Sequence, residues 1–258
     1  MTVEDSQTGS MDADAATLAA TDPVTTLQLE TIAFVSSPFK QKFAIPRQPN
    51  LVAAAEGKVV FEPAFSDPNV LRGIEQFSHV WLVFHFHGTA DKGWSATVQP
   101  PRLGGRQRLG VFASRAPFRP NALGLSVVRN LGSGMEKGRL VLRVGGLDLL
   151  DGTPILDVKP YLPYADALPA ATGGFTEQCA ETPREIIFSG EALDALARHA
   201  ADYPRLRELI VAVLGQDPRP AWRVRPGDDK QYGMTLYEFN IKWRMQVDGA
   251  RVLSICED

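Results

Sequence analysis

Four runs in the middle of the chain decide how it folds: Leu109-Gly-Val-Phe-Ala-Ser114, Leu123-Gly-Leu-Ser-Val-Val-Arg-Asn-Leu131, Arg139-Leu-Val-Leu-Arg-Val144 and Pro154-Ile-Leu-Asp-Val158. Each is short, rich in Val, Leu or Ile, and bounded by Gly, Pro, Asn or Asp, which is how strands read in a sequence. Three similar runs precede them, at 31–36, 58–61 and 79–87. No long helical segment separates neighbours, and parallel neighbours need a crossover of about a dozen residues or more. The runs therefore predict a mainly β body, an antiparallel sheet or barrel, and exclude a doubly wound parallel sheet. Frequent glycine (22) and proline (19) fit short strands joined by many turns.

Outward from that body the character changes. Residues 1–27 are rich in Ala, Asp, Thr and Ser without an apolar period, and read as a disordered acidic extension. The β unit is expected over 28–165. A small-residue linker follows at 165–181, and 166–258 reads as a small α+β domain. There Ser189 is an N-cap for a helix over 191–200, and Pro204 starts a second helix whose Leu206, Leu209, Ile210, Val213 and Leu214 form one apolar stripe. Residues 232–247 alternate for much of their length, and Asp248-Gly249 turns the chain into 251–256, a hairpin signal.

The 258 residues are 44% hydrophobic and 22% charged, enough to bury a full core. No run reaches the roughly 18 apolar residues of a membrane helix, and the N-terminus has no basic-then-apolar signal pattern. Two cysteines, Cys179 and Cys256, make neither a disulfide framework nor a four-cysteine zinc site, so a cytoplasmic protein is expected. The net charge of -3 conceals an asymmetry: residues 1–30 carry six acids and no base, and the rest therefore holds 27 bases against 24 acids. Between Gln99 and Asn130 there are six arginines and no acid. Such a field suits an anionic partner, a nucleic acid or a phosphorylated metabolite, or is simply a solvated basic face.

Several segments could carry chemistry. Gly132, Gly134 and Gly138 approach a dinucleotide fingerprint, but their spacing is wrong and a strand follows, so they read as a hairpin turn and no Rossmann-type site is supported. His85 and His87, two apart in one run, are expected on one face with His79; metal binding, packing and hydrogen bonding to a ligand all remain open, because no third metal ligand stands out beyond Glu75 and Asp91. In the loop after the first strand, Pro46 and Pro49 stiffen Arg47-Gln48, a candidate carboxylate clamp. Arg115-Ala-Pro-Phe-Arg-Pro-Asn121 is the densest cluster, two guanidinium forks and an aromatic on a proline-stiffened loop. Leu147-Asp-Leu-Leu-Asp-Gly-Thr-Pro154 places Asp151 in a turn, where its carboxylate either connects strands or accepts from an amino or ribose group.

Taken together these loops resemble the TsaA-like β-barrel methyltransferases, and most closely the bacterial tRNA threonylcarbamoyladenosine N6-methyltransferases. The matching text is Ser37-Pro-Phe-Lys-Gln-Lys-Phe-Ala-Ile-Pro-Arg-Gln-Pro49, Arg72-Gly-Ile-Glu-Gln-Phe-Ser-His-Val-Trp81, Pro100-Pro-Arg-Leu-Gly-Gly105 and residues 110–124, then 147–154 and Val158-Lys-Pro-Tyr-Leu-Pro163. Gln216-Asp-Pro-Arg-Pro220 and Phe239-Asn-Ile-Lys-Trp-Arg244 extend it to the C-terminal unit. The resemblance implies an antiparallel barrel that binds S-adenosylmethionine without a Rossmann fold, works as a homodimer, and methylates N6 of threonylcarbamoyladenosine (t6A to m6t6A) immediately 3′ to the tRNA anticodon. It implies cofactor contacts at Pro46, Arg47, Gln48, His87, Gly88, Arg115, Leu125, Asp151, Gly152, Thr153 and Pro154. Gly88 stands where glutamine is common and offers only backbone. Arg119 and Asn121 are expected nearest the modified base, with Lys159, Lys242 and Arg244 extending the tRNA surface. No metal is implied and no proton acceptor is named; Asp151 is a candidate whose expected work is cofactor binding. The rival readings are a non-catalytic RNA-binding barrel and a metal-dependent enzyme built on His85 and His87.

Overall fold

The computed structural model describes residues 26–100, 107–178, 184–219, 230–247 and 249–257. The acidic extension, Arg102, Arg106 and Cys179 lie outside the described residues.

The β body closes. Strands β1 (Ala33–Ser36), β2 (Glu56–Phe61), β3 (His79–His85), β6 (Leu123–Glu136), β7 (Arg139–Gly145) and β8 (Pro154–Pro160) form a closed barrel in the order β1-β2-β7-β6-β3-β8. Every neighbouring pair is antiparallel. The closing pair β1–β8 is the shortest, with two registered residue pairs against seven between β3 and β6. A two-stranded ribbon, β4 (Thr97–Val98) with β5 (Leu109–Gly110), stands outside it.

Period-two alternation builds this barrel. Along β3, Val80, Leu82 and Phe84 are buried while His79, Trp81, Val83 and His85 face outward and are half-exposed. Across the ladder Gly124, Ser126 and Val128 of β6 point in. Each fully buried aliphatic side chain contributes roughly 1.5–3 kcal/mol of transfer free energy, and Leu82, Leu140, Leu142 and Ile155 are all at or below 2% exposure. The β6–β7 hairpin turns on Lys137 (φ 48°) and Gly138 (φ 77°), the two left-handed residues that a type I′ turn requires. Gly132 (φ 99°) sits at a bulge between Asn130 and Ser133.

Three expectations change. The run at 79–87 ends as a strand at His85: Phe86 (ψ 61°) leaves the extended region and His87 opens a 3₁₀ helix, so His85 and His87 do not share one strand face. The run at 109–114 keeps two strand residues, and Val111–Ala113 coil into a 3₁₀ turn. The alternating 232–247 segment is two strands, split at Tyr237 (φ 55°).

After the short helix α1 (Pro163–Asp166), the C-terminal unit is a sheet in the order β10-β11-β12-β9, made of β9 (Glu185–Phe188), β10 (Gln231–Leu236), β11 (Phe239–Met245) and β12 (Gly249–Glu257). Helices α2 (Gly190–Arg198) and α3 (Leu206–Gly215) precede β10 in the chain, and α2 packs on β12. The Ser189 hydroxyl accepts from the Ala192 N–H at 3.1 Å, capping α2 as its sequence implies. Strand β9 was not legible in the sequence; it pairs in parallel with β12 at the sheet edge. The two units share one apolar core. A bridge joins Phe39 to Leu236, the Tyr237 N–H donates to the Pro38 carbonyl at 2.7 Å, and Arg205 pairs with Glu56.

Candidate functional site

A cavity of about 710 Å³ lies against the outer wall of the barrel, over the ends of β3 and β6. Its wall is built by alternation: Trp81, Val83 and His85 face outward from β3, and Leu123 and Leu125 from β6. Four further segments complete it. The β1–β2 loop supplies Lys42, Pro46, Arg47 and Gln48, the 3₁₀ turn after β3 supplies His87 and Gly88, the loop before β6 supplies Arg115 and Arg119, and the β7–β8 connection supplies Asp148 and Thr153.

Hydrogen bonds hold these loops in place. Arg115 Nη1 donates to Gln48 Oε1 at 2.6 Å, joining two loops across the mouth. Arg47 Nη2 donates to the Asp217 carbonyl at 3.3 Å, so the C-terminal unit anchors a pocket residue. Asp217 is itself buried against Arg219, with carboxylate–guanidinium distances of 2.7 and 2.8 Å. Lys42 donates to the Gly88 carbonyl. A Cβ at Gly88 would stand 2.9 Å from Lys42 Cε.

The electrostatics are uneven. Burial pushes the His87 imidazolium down, and the neighbouring His85 and Lys42 push in the same direction, so His87 is neutral at pH 7. Asp148 moves the other way: burial raises its carboxyl to about 6, although a hydrogen bond with Ser126 and the charge of Arg115 pull it down. Asp148 Oδ1 is buried without a hydrogen-bond partner. Among the described residues, no group of three or more His, Cys, Asp or Glu is placed to hold a metal ion.

Of the residues singled out in the sequence, Pro46, Arg47, Gln48, His87, Gly88, Arg115, Leu125 and Thr153 line this one cavity. Arg119, expected on the RNA surface, lines it too; its Nη1 donates to the Val111 and Ser114 carbonyls at 3.1 and 2.7 Å and so holds the loop's shape. Asp151, Gly152 and Pro154 stand beside the cavity. The Asp151 carboxylate accepts from the Ser37 N–H at 2.8 Å and pairs with Lys40 at 2.7 Å, while Gly152 (φ 73°) makes the turn. Asn121 is exposed outside the cavity, Lys159 pairs with Asp157 at 2.7 Å, and Lys242 and Arg244 project from the exposed face of β11. Asp148 was missed. The signal was present as a second acid three residues before Asp151, set between two leucines, but the Asp-Gly turn drew attention to its neighbour.

S-adenosylmethionine carries a carboxylate, an ammonium, a sulfonium and an adenine, and this cavity fits it. Guanidinium groups at Arg47 and Arg115 suit the carboxylate, and Leu123, Leu125 and Trp81 offer apolar surface. The volume lies within the roughly 300–1,000 Å³ of small-molecule sites.

A non-Rossmann antiparallel barrel with a cationic, apolar-walled pocket on its side defines the class: a β-barrel whose loops frame a cavity of small-molecule size. The particular family follows from comparison with known proteins. Residues 34–167 match the tRNA-methyltransferase O N-terminal domain, and residues 181–258 match the TrmO C-terminal domain. The chain is 41% identical over 232 residues to the tRNA (adenine(37)-N6)-methyltransferase of Escherichia coli K12, covering 90% of this chain and 99% of that one. It is 44% identical to a Pseudomonas aeruginosa protein assigned to the S-adenosylmethionine-dependent methyltransferases, covering 89% and 98%. A crystal structure of TrmO from P. aeruginosa superposes with a TM-score of 0.75 at 38% identity, over 92% of this chain and all of that one. The chain belongs to the tRNA-methyltransferase O family and is a methyltransferase.

Proposed function

We propose that this chain transfers a methyl group from S-adenosylmethionine to N6 of adenosine 37 in tRNA, and that the acceptor adenosine already carries threonylcarbamoyl. The observation that supports this most is the convergence of Arg47, Arg115, His87, Leu125 and Thr153 on one cavity, from five separate segments of a family barrel. The cofactor, held by Arg47, Gln48, His87, Gly88, Arg115, Leu125 and Thr153, supplies an activated methyl group. The protein's remaining task is largely alignment, because N6 is a weak nucleophile whose lone pair is delocalised into the purine. The Gln48–Arg115 bond and the Arg47–Asp217 tether keep the cofactor-holding loops in one arrangement. A neutral His87 adds no second positive charge beside a sulfonium.

The acid-free loops supply cations for the anticodon stem and for the threonylcarbamoyl carboxylate, with Arg119, Asn121 and Lys159 on the barrel side and Lys242 and Arg244 on the C-terminal unit. In this reading residues 28–165 carry the chemistry and 166–258 widen the RNA surface. The same reading makes the protein a cytoplasmic homodimer; its support is that Leu125, a pocket residue, is 54% exposed in one copy. No helix among the described residues is long and apolar enough to cross a membrane.

The test is incubation with labelled S-adenosylmethionine and bulk tRNA from a strain lacking the gene, followed by nucleoside analysis. Methylated threonylcarbamoyladenosine is expected. A threonylcarbamoylated tRNA should outperform the same unmodified transcript by on the order of tenfold to a hundredfold, since an unpaired polar group costs about 1–3 kcal/mol. Equal methylation of the two overturns the threonylcarbamoyl requirement; cofactor binding without any product overturns the enzyme.

A further inference from the structure

We propose, building on the function given above, that Asp148 is a catalytic residue: its Oδ1 takes the N6 proton of the target adenine as the methyl group arrives. Three observations carry this. Asp148 lines the cavity together with the residues expected to hold the cofactor. Its Oδ1 is buried with no hydrogen-bond partner in the protein, although a buried polar atom left alone is costly and uncommon in a folded chain. Its position is also fixed: Leu147 and Leu149 on either side are buried, the Leu147 N–H donates to the Ala55 carbonyl at 3.0 Å, and the Leu149 carbonyl accepts from the Ser37 hydroxyl at 2.8 Å. A rigid backbone thus holds one buried, unpartnered acceptor in a residue of the cavity wall. Asp151, three residues on, has both oxygens engaged by Ser37 and Lys40.

The chemistry balances on this one group. The N6–H bond breaks and its proton goes to Asp148 Oδ1. The N6 electron pair forms the bond to the methyl carbon, and the sulfur–methyl pair stays on sulfur as a neutral thioether. One negative carboxylate and one positive sulfonium become two neutral groups, a change that the burial of Asp148 Oδ1 favours. The charged and titratable groups sharing the pocket are Arg47, Arg115, Arg119, Lys42, His85 and His87, with the Ser126 hydroxyl. Among the described residues that line the pocket, Asp148 carries the only carboxylate.

The experiment compares wild type, Asp148→Asn and Asp148→Glu in single-turnover methylation of threonylcarbamoylated tRNA, with S-adenosylmethionine affinity measured by calorimetry on the same proteins. Asp148→Asn should slow transfer by on the order of 10²–10⁴-fold, with cofactor affinity within about threefold of wild type. The wild-type rate should fall as pH drops through about 6, where the carboxyl protonates; the Asn variant should lose that acid limb and the Glu variant should keep it. Wild-type transfer by Asp148→Asn overturns the proposal. So does a loss of cofactor affinity that matches the loss of rate, which would make Asp148 a cofactor ligand. A wild-type protein that methylates no tRNA overturns the function itself, whereas an active wild type with an unaffected Asn variant overturns only the role of Asp148.

Discussion

Gly124 has no room for a methyl group. A Cβ there would stand 2.2 Å from Phe84 Cζ on the neighbouring strand, and both residues line the cavity. Gly124→Ala must push the ring aside, so it should cost about 1–3 kcal/mol in urea unfolding and weaken S-adenosylmethionine binding as well. Asp148 makes a different statement about stability. Its folded carboxyl titrates at about 6 against 3.8 for an ordinary aspartate, so between those values the folded state holds a proton that the unfolded state has released. Stability therefore falls as pH rises from 4 toward 6, and the penalty persists above 6. Asp148→Asn should flatten that slope and stabilise the protein at pH 7.5 by up to about 3 kcal/mol. A variant that is slower in catalysis and harder to unfold is the expected combination. At this scale the sequence was half legible. Arg47, Gln48 and Arg115 stood out as forks and amides on stiff loops. Asp148 did not, because what matters about it, burial without a partner, is a property of the packing around it.

Elements were legible where alternation ran long. β3 declares itself through inward Val80, Leu82 and Phe84 at every second residue, and β6 and β7 through runs of Val and Leu bounded by glycine. β9 did not: four residues, half-covered, at a sheet edge carry no such pattern, and its parallel partner lies over 60 residues away along the chain. The break after His85 was equally hidden, since a bend at Phe86 leaves composition unchanged. The link between the two units also runs through element ends. Burial pushes the Asp217 carboxyl up, but Arg219, helped by Arg184, outweighs it and holds the group below the ordinary range. Removing Arg219 leaves a buried carboxylate with only Arg184, at 3.4 Å, to face it. Arg219→Ala should destabilise the protein by about 3–5 kcal/mol and, by loosening the Asp217 carbonyl that receives Arg47, weaken cofactor binding from outside the pocket. Paired urea-unfolding and calorimetry measurements check both effects.

Over the whole chain, a net charge of -3 coexists with an acid-free stretch of six arginines between Gln99 and Asn130. Binding of tRNA should weaken linearly in log–log form as salt rises, because each neutralised phosphate releases counterions. Lys242→Ala, on the exposed face of β11, should make that slope shallower by about one unit if the C-terminal unit meets the RNA backbone; filter binding at a series of salt concentrations reads it directly. The closed barrel itself was legible only as far as "antiparallel", because closure depends on which two strands meet last, and no local pattern encodes that meeting.

That last meeting has a thermal consequence. Where β1 joins β8, two registered pairs close the cylinder, and one partner, Pro154, brings no N–H of its own. A ring of staves leaks first at its narrowest joint. Deuterium should enter the amides of Ile32, Val35 and Gly152, which bridge this joint, well before those of Leu82 or Val128 on the broad β3–β6 ladder. The joint lies beside the Asp151–Thr153 turn, at the border of the cavity, so a ligand seated there should brace it. Ligand-loaded protein should then show the strongest slowing of exchange at those three amides, a signature of occupancy that needs no turnover to be seen.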